Sequence, residues 1–276
     1  MSEPLAPGLY IVATPIGNLS DLSPRATEIL ARADLIAVED SRVTGKLLNH
    51  IGAKRPMTPY HDHNADKVRP GLIARMGREA VALVSDAGTP LISDPGYKLV
   101  RDARRAGVTV TTIPGPCAAI AALTLAGLPT DRFAFLGFLP AKPGARANAI
   151  AEAAGFRGTL VFYESGPRLA SALAALAEGL GAREAAVTRE ISKHFEETVT
   201  GTLVQLAARY AEAPPKGEIA IVVGPPGEAS LAGEADIDAA LREALQTLSP
   251  SRAAAEVAQR LGIPRKLAYE RAQALK

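Results

Sequence analysis

Residues 81–96 read Val-Ala-Leu-Val-Ser-Asp-Ala-Gly-Thr-Pro-Leu-Ile-Ser-Asp-Pro-Gly, an apolar run of strand length that breaks into two acidic, Gly/Pro-punctuated turns. Such a run fits a buried strand of an open α/β sheet, in which ligands lie beyond the carboxyl ends of the strands. Gly88 and Gly96 let backbone approach a small molecule with no Cβ in the way, and Pro90 and Pro95 stiffen the loop. An ordinary strand-to-helix connection uses the same turn residues, so this loop alone does not decide.

Three further strand ends repeat the chemistry. Tyr10 to Ala13 runs into Thr14-Pro-Ile-Gly-Asn18, Thr109 to Ile113 into Pro114-Gly-Pro-Cys-Ala118, and Leu160 to Tyr163 into Glu164-Ser-Gly-Pro167. A pocket built from several such ends holds one mid-sized ligand through backbone groups, which suits a neutral or zwitterionic cofactor better than a triphosphate. No Gly-x-x-x-x-Gly-Lys-Ser/Thr sequence is present, and the turn Ala13 to Asn18 lacks the Gly-x-Gly-x-x-Gly pattern of a dinucleotide site. Glu39-Asp40 stands where a dinucleotide-binding fold places its ribose acid, but without that fingerprint. His61-Asp62-His63 has no third ligand at a diagnostic spacing, so no metal is expected. Cys117 has no base near it in sequence and reads as a small helix-start residue against a ligand.

At 276 residues, about two domains are expected, and helix-forming segments alternate with Val/Ile-rich runs, which predicts α/β with largely parallel strands. A single cysteine excludes an internal disulfide framework and suits a reducing cytosol. No leader opens the chain, and its longest apolar run, Cys117 to Leu128, is too short to span a bilayer, so no membrane contact and a cytoplasmic location are expected. A net charge of +2 does not by itself argue for nucleic acid. Its distribution is more telling: from Ser249 onward Arg252, Arg260, Arg265, Lys266, Arg271 and Lys276 outnumber Glu256 and Glu270.

The first domain is predicted over residues 1–137, with strands at Tyr10 to Ala13, Leu35 to Glu39, Val81 to Ser85, Thr109 to Ile113 and Phe133 to Gly137. Ser23-Pro24 and Asp94-Pro95 read as helix starts. Residues 138–144 carry too many breakers for an element and form the expected linker. A second α/β domain follows over 145–227, then a helical basic appendage over 228–276. In the appendage Ala254, Val257, Ala258 and Leu261 share a face, Gly262 ends that helix and Pro264 opens another, which fits either a helix-turn-helix or a plain helical hairpin. The cluster Thr188 to Glu197 also has two readings: surface ion pairing, or Arg189 and Lys193 holding an anionic substrate with Glu190 or Lys193 handling a proton.

Taken together, Thr14-Pro-Ile-Gly-Asn-Leu-Ser-Asp21, Glu39-Asp-Ser-Arg42, His61-Asp-His-Asn64, Ser85-Asp-Ala-Gly-Thr-Pro90, Ile92-Ser-Asp-Pro-Gly96, Pro114-Gly-Pro-Cys-Ala118, Phe138-Leu-Pro140, Phe162-Tyr-Glu-Ser165 and Arg189-Glu-Ile-Ser-Lys193 resemble the ribosomal RNA small subunit methyltransferase I family. These are 16S rRNA (cytidine-2′-O)-methyltransferases of the tetrapyrrole methylase superfamily. The resemblance implies two α/β domains with S-adenosylmethionine in the cleft between them, a helix-turn-helix-like appendage, and a homodimer. Carried over by motif, the cofactor contacts are Pro15, Asp86, Ala87, Gly88, Thr89, Cys117, Ala118, Tyr163 and Ala220, with Cys117 standing where relatives usually have Ser. Small-subunit rRNA is then the implied partner, gripped by Arg42, Lys142, Arg146, Arg168, Arg189 and the tail, with Lys193 and Glu190 as the candidate catalytic pair. The alternatives are a corrin-precursor methyltransferase and a non-catalytic RNA-binding module. The loop Thr14-Pro-Ile-Gly-Asn18 and the basic tail speak against the former, and retention of both acidic loops against the latter.

Overall fold

The computed structural model describes residues 4–213, 215–226, 234–261 and 265–275. Contacts divide the chain into two units, Met1–Val223 and Gly224–Lys276. The first begins with β1 (Gly8–Val12), α1 (Pro24–Arg32), β2 (Leu35–Val38), α2 (Ser41–His50), β3 (Met57–Pro59), α3 (Ala65–Met76), β4 (Ala80–Leu83), α4 (Tyr97–Arg105), β5 (Val110–Ile113) and α5 (Ala118–Leu125). Its strands form a parallel sheet in the order β3-β2-β4-β1-β5. The apolar runs end up where their composition requires. β2 and β4 are buried at every position, and helices cover both faces: Leu30, Leu47 and Leu48 from α1 and α2 on one, Leu72, Met76 and Leu99 from α3 and α4 on the other. Burying each such leucine contributes roughly 1.5–3 kcal/mol.

A second sheet follows from β6 (Phe133–Phe138), α6 (Pro143–Ala154), β7 (Thr159–Ser165), α7 (Gly166–Leu180), β8 (Glu184–Arg189), β9 (Glu197–Thr202), α8 (Leu203–Glu212) and β10 (Glu218–Val223). Its order is β6-β7-β10-β8-β9, and only the β6–β7 pair is parallel. The expectation of largely parallel strands therefore holds for the first sheet alone. α6, α7 and α8 bury one face of the second sheet; α5 covers the other, packing Ala119, Ala122 and Leu123 on Val161, Ala186, Ala220 and Val222.

Three elements differ from what the sequence predicts. Phe133 to Gly137 was expected to close the first sheet, but β6 pairs with β7 across the α6 crossover and belongs to the second. Helix formation resumes at Pro143, so the expected linker shrinks to 139–142. Ser23 does cap α1, its side chain accepting from Ala26 N–H at 3.1 Å, but Asp94 caps nothing: α4 starts at Tyr97 after Gly96, whose φ of 138° a side chain rarely adopts.

The second unit contains α9 (Glu234–Leu245), α10 (Pro250–Leu261) and α11 (Arg265–Ala274) around a core of their own. Ala254, Val257, Ala268 and Ala272 are all fully buried, as their spacing predicts. A bidentate pair ties α11 to α9, Arg271 Nε and Nη2 donating to the two Asp238 oxygens at 2.8 and 3.0 Å. The expected helix boundary at Gly262 and Pro264, and the 227/228 division, lie outside the described residues.

Candidate active site

Two cavities of about 350 Å³ each adjoin at the carboxyl ends of the first sheet and share Ile16, Ala87 and Glu218 in their walls. The first lies between the loops after β4 and β5 and the second sheet, with Gly88, Thr89 and Asp94 on one side and Tyr163 and Ala220 on the other. The second is walled by the β1 loop, α2 and Ser85-Asp86, and reaches Lys193.

Backbone geometry fixes the loops. Thr14 and Gly88 exchange both backbone hydrogen bonds, at 2.9 and 3.1 Å, tying the β1 loop to the β4 loop. The approach needs glycine: Gly88 has φ of 83°, and a Cβ there would sit 3.2 Å from Ile16 Cγ2. Thr89 Oγ1 donates to the Pro116 carbonyl at 2.9 Å, adding the β5 loop. Leu91, Ser93, Glu190 and Ser192 all take positive φ without being glycine. Each such residue costs of order 1–2 kcal/mol, so the surrounding packing holds strain in the loops that wall the site.

Cys117 occupies the N-cap of α5 but makes no side-chain cap bond. The free Ala119 N–H of that helix instead donates to Tyr163 Oη at 2.9 Å, and Phe135 and Phe138 meet the Tyr163 ring edge-on at 4.7 and 5.7 Å. Burial, with Cys117 beside it, pushes the Tyr163 hydroxyl above its ordinary value, so it works as a neutral hydrogen-bonding group.

The carboxylates divide by environment. Burial lifts Asp94, on the first cavity, to about 6, with Glu39 and Asp86 adding repulsion and a Ser85 hydrogen bond opposing. Burial also raises Asp86, whose Oδ1 accepts from Asp40 N–H at 3.0 Å. Glu190 moves the other way: a hydrogen bond from Glu218 N–H, then one from Lys193, hold it below the usual carboxylate range. Lys193 Nζ lies 3.0 Å from Glu190 Oε1 and 2.8 Å from Glu218 Oε2. Desolvation works against its charge, but these two partners outweigh it and keep the ammonium charged. Two glycines make room for the pair. A Cβ on Gly17 would lie 2.4 Å from Lys193 Cγ, and one on Gly217 2.5 Å from Glu190 Oε1.

Of the expected cofactor residues, Ala87, Gly88, Thr89, Cys117, Ala118, Tyr163 and Ala220 line the first cavity, whereas Pro15 and Asp86 line the second. Lys193 lines the second; Glu190 lines neither and reaches the site through Lys193. The expected substrate cations are outside both. Arg42 chelates Asp40, with Nη2 2.5 Å from Oδ2, at the exposed start of α2. Lys142 is the N-cap residue of α6 and Arg146 follows within its first turn, and Arg168 on α7 bonds the Leu139 carbonyl and sits 3.3 Å from the buried Glu164. Arg189 pairs with Glu197 at 3.2 Å, so surface pairing describes it while Lys193 faces a cavity. Asp94 stands in a quoted motif and reads there as a helix cap, with no role in the site. Glu218 carries no signal in the sequence, being one acid at the start of a strand. Among the described residues no group of three or more His, Cys, Asp or Glu is gathered to hold a metal, and no helix is long and apolar enough to cross a membrane.

The family model of the tetrapyrrole (corrin/porphyrin) methylases matches residues 8–207, and that of the RsmI C-terminal HTH domain matches residues 232–276. The chain is 55% identical over 275 residues to the ribosomal RNA small subunit methyltransferase I of Erythrobacter litoralis, covering 100% of this chain and 98% of that protein. It is 50% identical over 278 residues to the protein of the same name from Mesorhizobium japonicum, covering 100% and 94%. Among solved structures, uroporphyrin-III C-methyltransferase from Thermus thermophilus, complexed with S-adenosylhomocysteine, superposes with a TM-score of 0.54 at 21% identity, covering 79% of this chain and 97% of that one. At that identity the likeness speaks to fold alone.

Proposed function

The chain belongs to the ribosomal RNA small subunit methyltransferase I family of tetrapyrrole methylases, and from that membership we propose that it transfers a methyl group from S-adenosylmethionine to a cytidine 2′-hydroxyl of 16S rRNA. The observation that carries the reading is the pair of adjoining cavities, one fitted to the cofactor and one open to a second substrate, with Lys193 and Glu218 at their junction.

The first cavity fits S-adenosylmethionine. Its walls are mostly apolar and backbone, with Ile16, Phe138 and Tyr163 to enclose flat or aliphatic parts, and the Gly88 backbone left bare by the absence of a Cβ. Asp94, Glu164 and Glu218 supply negative charge for a cationic ligand. Ala87, Gly88, Thr89, Cys117, Ala118, Tyr163 and Ala220 are the residues that hold it. When bound, the cofactor supplies a sulfonium methyl already activated for in-line attack. The protein's task is then to place the ribose oxygen at roughly 3–3.5 Å and exclude water. Lys193, kept charged by Glu190 and Glu218, stabilises the negative charge developing on that oxygen. Glu190, whose Oε1 accepts from both Glu218 N–H and Lys193 and which is held below the usual carboxylate range, is the weaker base and positions Lys193; Glu218, which borders both cavities, is placed to take the proton.

Arg42, Lys142, Arg146, Arg168, Arg189 and the exposed Arg252, Arg265 and Lys266 of the second unit serve RNA phosphates. The working division is two α/β domains meeting at the cleft plus a helical appendage from about residue 228, in the cytoplasm. A second copy of the chain covers part of the exposed apolar side chains of α5 and β6, among them Ile120, Leu125, Phe133 and Leu136, each at least 39% exposed, which light scattering tests directly. Activity is tested by incubating the protein with labelled S-adenosylmethionine and small ribosomal subunits. One new alkali-resistant dinucleotide is expected, because a 2′-O-methyl group removes the hydroxyl that attacks the neighbouring phosphate. Lys193→Ala is expected to lower turnover by roughly 100-fold or more while cofactor affinity holds. Label on a base, or on a tetrapyrrole offered in parallel, overturns the reading.

A further inference from the structure

We infer that the second cavity seats the target nucleoside after extrusion from the RNA, and that Asp86 reads its base by accepting a hydrogen bond from the cytosine exocyclic amino group. The inference deepens the methyl-transfer reading and rests on it.

The second cavity matches the first in volume, at about 350 Å³. Its lining is of another kind. Leu19, Val43 and Leu47 offer apolar surface for a ring, while Thr44, Asp86 and Lys193 supply directional polar groups around it. Such a mixture fixes the orientation of a flat polar ligand. A base inside a helix cannot enter a recess of this kind, whereas RNA loops splay single bases out for reading on their edges.

Asp86 is prepared for one kind of edge. Asp40 N–H holds Oδ1 at 3.0 Å and so sets the carboxylate plane, while Oδ2 receives no hydrogen bond among the described residues. A carboxylate accepts from the cytosine 4-amino group; uracil presents a carbonyl oxygen at that position, and two acceptors repel. The opposite wall fixes the direction of entry. Lys193 and Glu218 stand at the junction with the first cavity, so a base held by Asp86 points its ribose toward them. Exposed Lys46, also in the wall, and Arg42 one turn away on α2 meet the flanking phosphates.

The test uses the full chain, with the target first mapped on small-subunit rRNA and then prepared as cytidine or uridine in otherwise identical RNA. Competition binding in the presence of S-adenosylhomocysteine is expected to favour the cytidine RNA by about tenfold for the wild type. Asp86→Asn, which adds a donor, should bring that ratio close to one and lower the 2′-O-methylcytidine to 2′-O-methyluridine product ratio at least tenfold, with cofactor affinity by calorimetry within twofold. Val43→Trp, a change at an exposed wall residue, should abolish RNA methylation while leaving cofactor binding intact. An Asp86→Asn protein that keeps its cytidine preference, or loses cofactor affinity along with activity, overturns the inference and leaves the methyl-transfer reading standing. Failure of the wild type to methylate ribose in either RNA overturns both.

Discussion

Replacing Gly17 by alanine should disable the site without unfolding the protein. The new Cβ would stand 2.4 Å from Lys193 Cγ and 2.7 Å from Cε. Non-bonded carbons settle at roughly 3.5–4.0 Å, so the lysine stem must retreat by about 1 Å. Its ammonium bonds to Glu190 and Glu218 at 3.0 and 2.8 Å cannot both survive that shift, since beyond about 3.5 Å they cease to be hydrogen bonds. A misplacement of about 1 Å can cost roughly 100-fold in rate. Overpacking in a well-packed core costs about 1–3 kcal/mol; the partly exposed, flexible lysine keeps that part low, and the φ of 158° at Gly17 adds strain of order 1–2 kcal/mol for a side chain. The expected result is therefore a turnover reduced about 100-fold with unchanged cofactor affinity, measured by methyl transfer to small subunits alongside calorimetry and urea unfolding. In a Lys193→Ala background the lysine stem no longer blocks the methyl, so Gly17→Ala should slow turnover little further there, leaving only the backbone strain of a side chain at a φ of 158°. An active Gly17→Ala enzyme, or a double mutant much slower than Lys193→Ala alone, refutes the reasoning.

Asp94→Asn should alter the pH dependence of stability. Because burial raises the Asp94 carboxyl to about 6, the folded protein holds that proton more tightly than the unfolded chain, and this group's contribution weakens stability as pH rises from about 4 to about 6. The shift corresponds to about 3 kcal/mol, halved here for partial exposure. The mutant should be about 1.5 kcal/mol more stable than wild type at pH 7.5 and equal to it below pH 4; a gap that ignores pH in denaturant titrations contradicts this. Tyr163→Phe removes the acceptor of Ala119 N–H, so about 1 kcal/mol should be lost in urea melts while the ring keeps its contacts to Phe135 and Phe138. Removing residues 224–276 takes away a unit with its own core, and cofactor affinity should not change. RNA affinity should fall, and its log-log salt slope should drop by roughly 2–3 if Arg252, Arg265 and Lys266 each meet a phosphate. An unchanged slope would leave these cations without a role in binding.

How much of this was legible depended on whether the cause was local. The apolar runs of β1 and β4 and the loops that follow them could be read directly, because burial on both faces leaves a continuous pattern in the chain. β3 was not read: three residues ending in Pro59 pair only with β2 at the sheet edge and leave almost no pattern. The sheet to which β6 belongs was misjudged, since side-chain alternation says that a strand exists but not which neighbour it finds. The cofactor loops were recognisable as motifs, yet their division into two cavities was not. Asp86 and Ala87 are adjacent, and the chain gives no sign that Asp86 faces only the second cavity while Ala87 borders both. Glu218 was out of reach for the same reason, lying 25 residues from the lysine it bonds.

The last strand of the first unit, β10, sits at the centre of the second sheet, between β7 and β8. Until it emerges during synthesis, β6-β7 and β8-β9 are two separate ribbons with no backbone bonds between them. Gly217 to Ala220, at the start of that same strand, also complete the wall of the first cavity and supply the carboxylate beside Lys193. Structural closure and chemical competence thus arrive together, within a few residues of each other on the ribosome. A polypeptide that stops short of Glu218 can form the parallel sheet of the first half, but it has neither a joined second sheet nor a walled site, and so no nascent chain that ends before this strand can carry out the reaction.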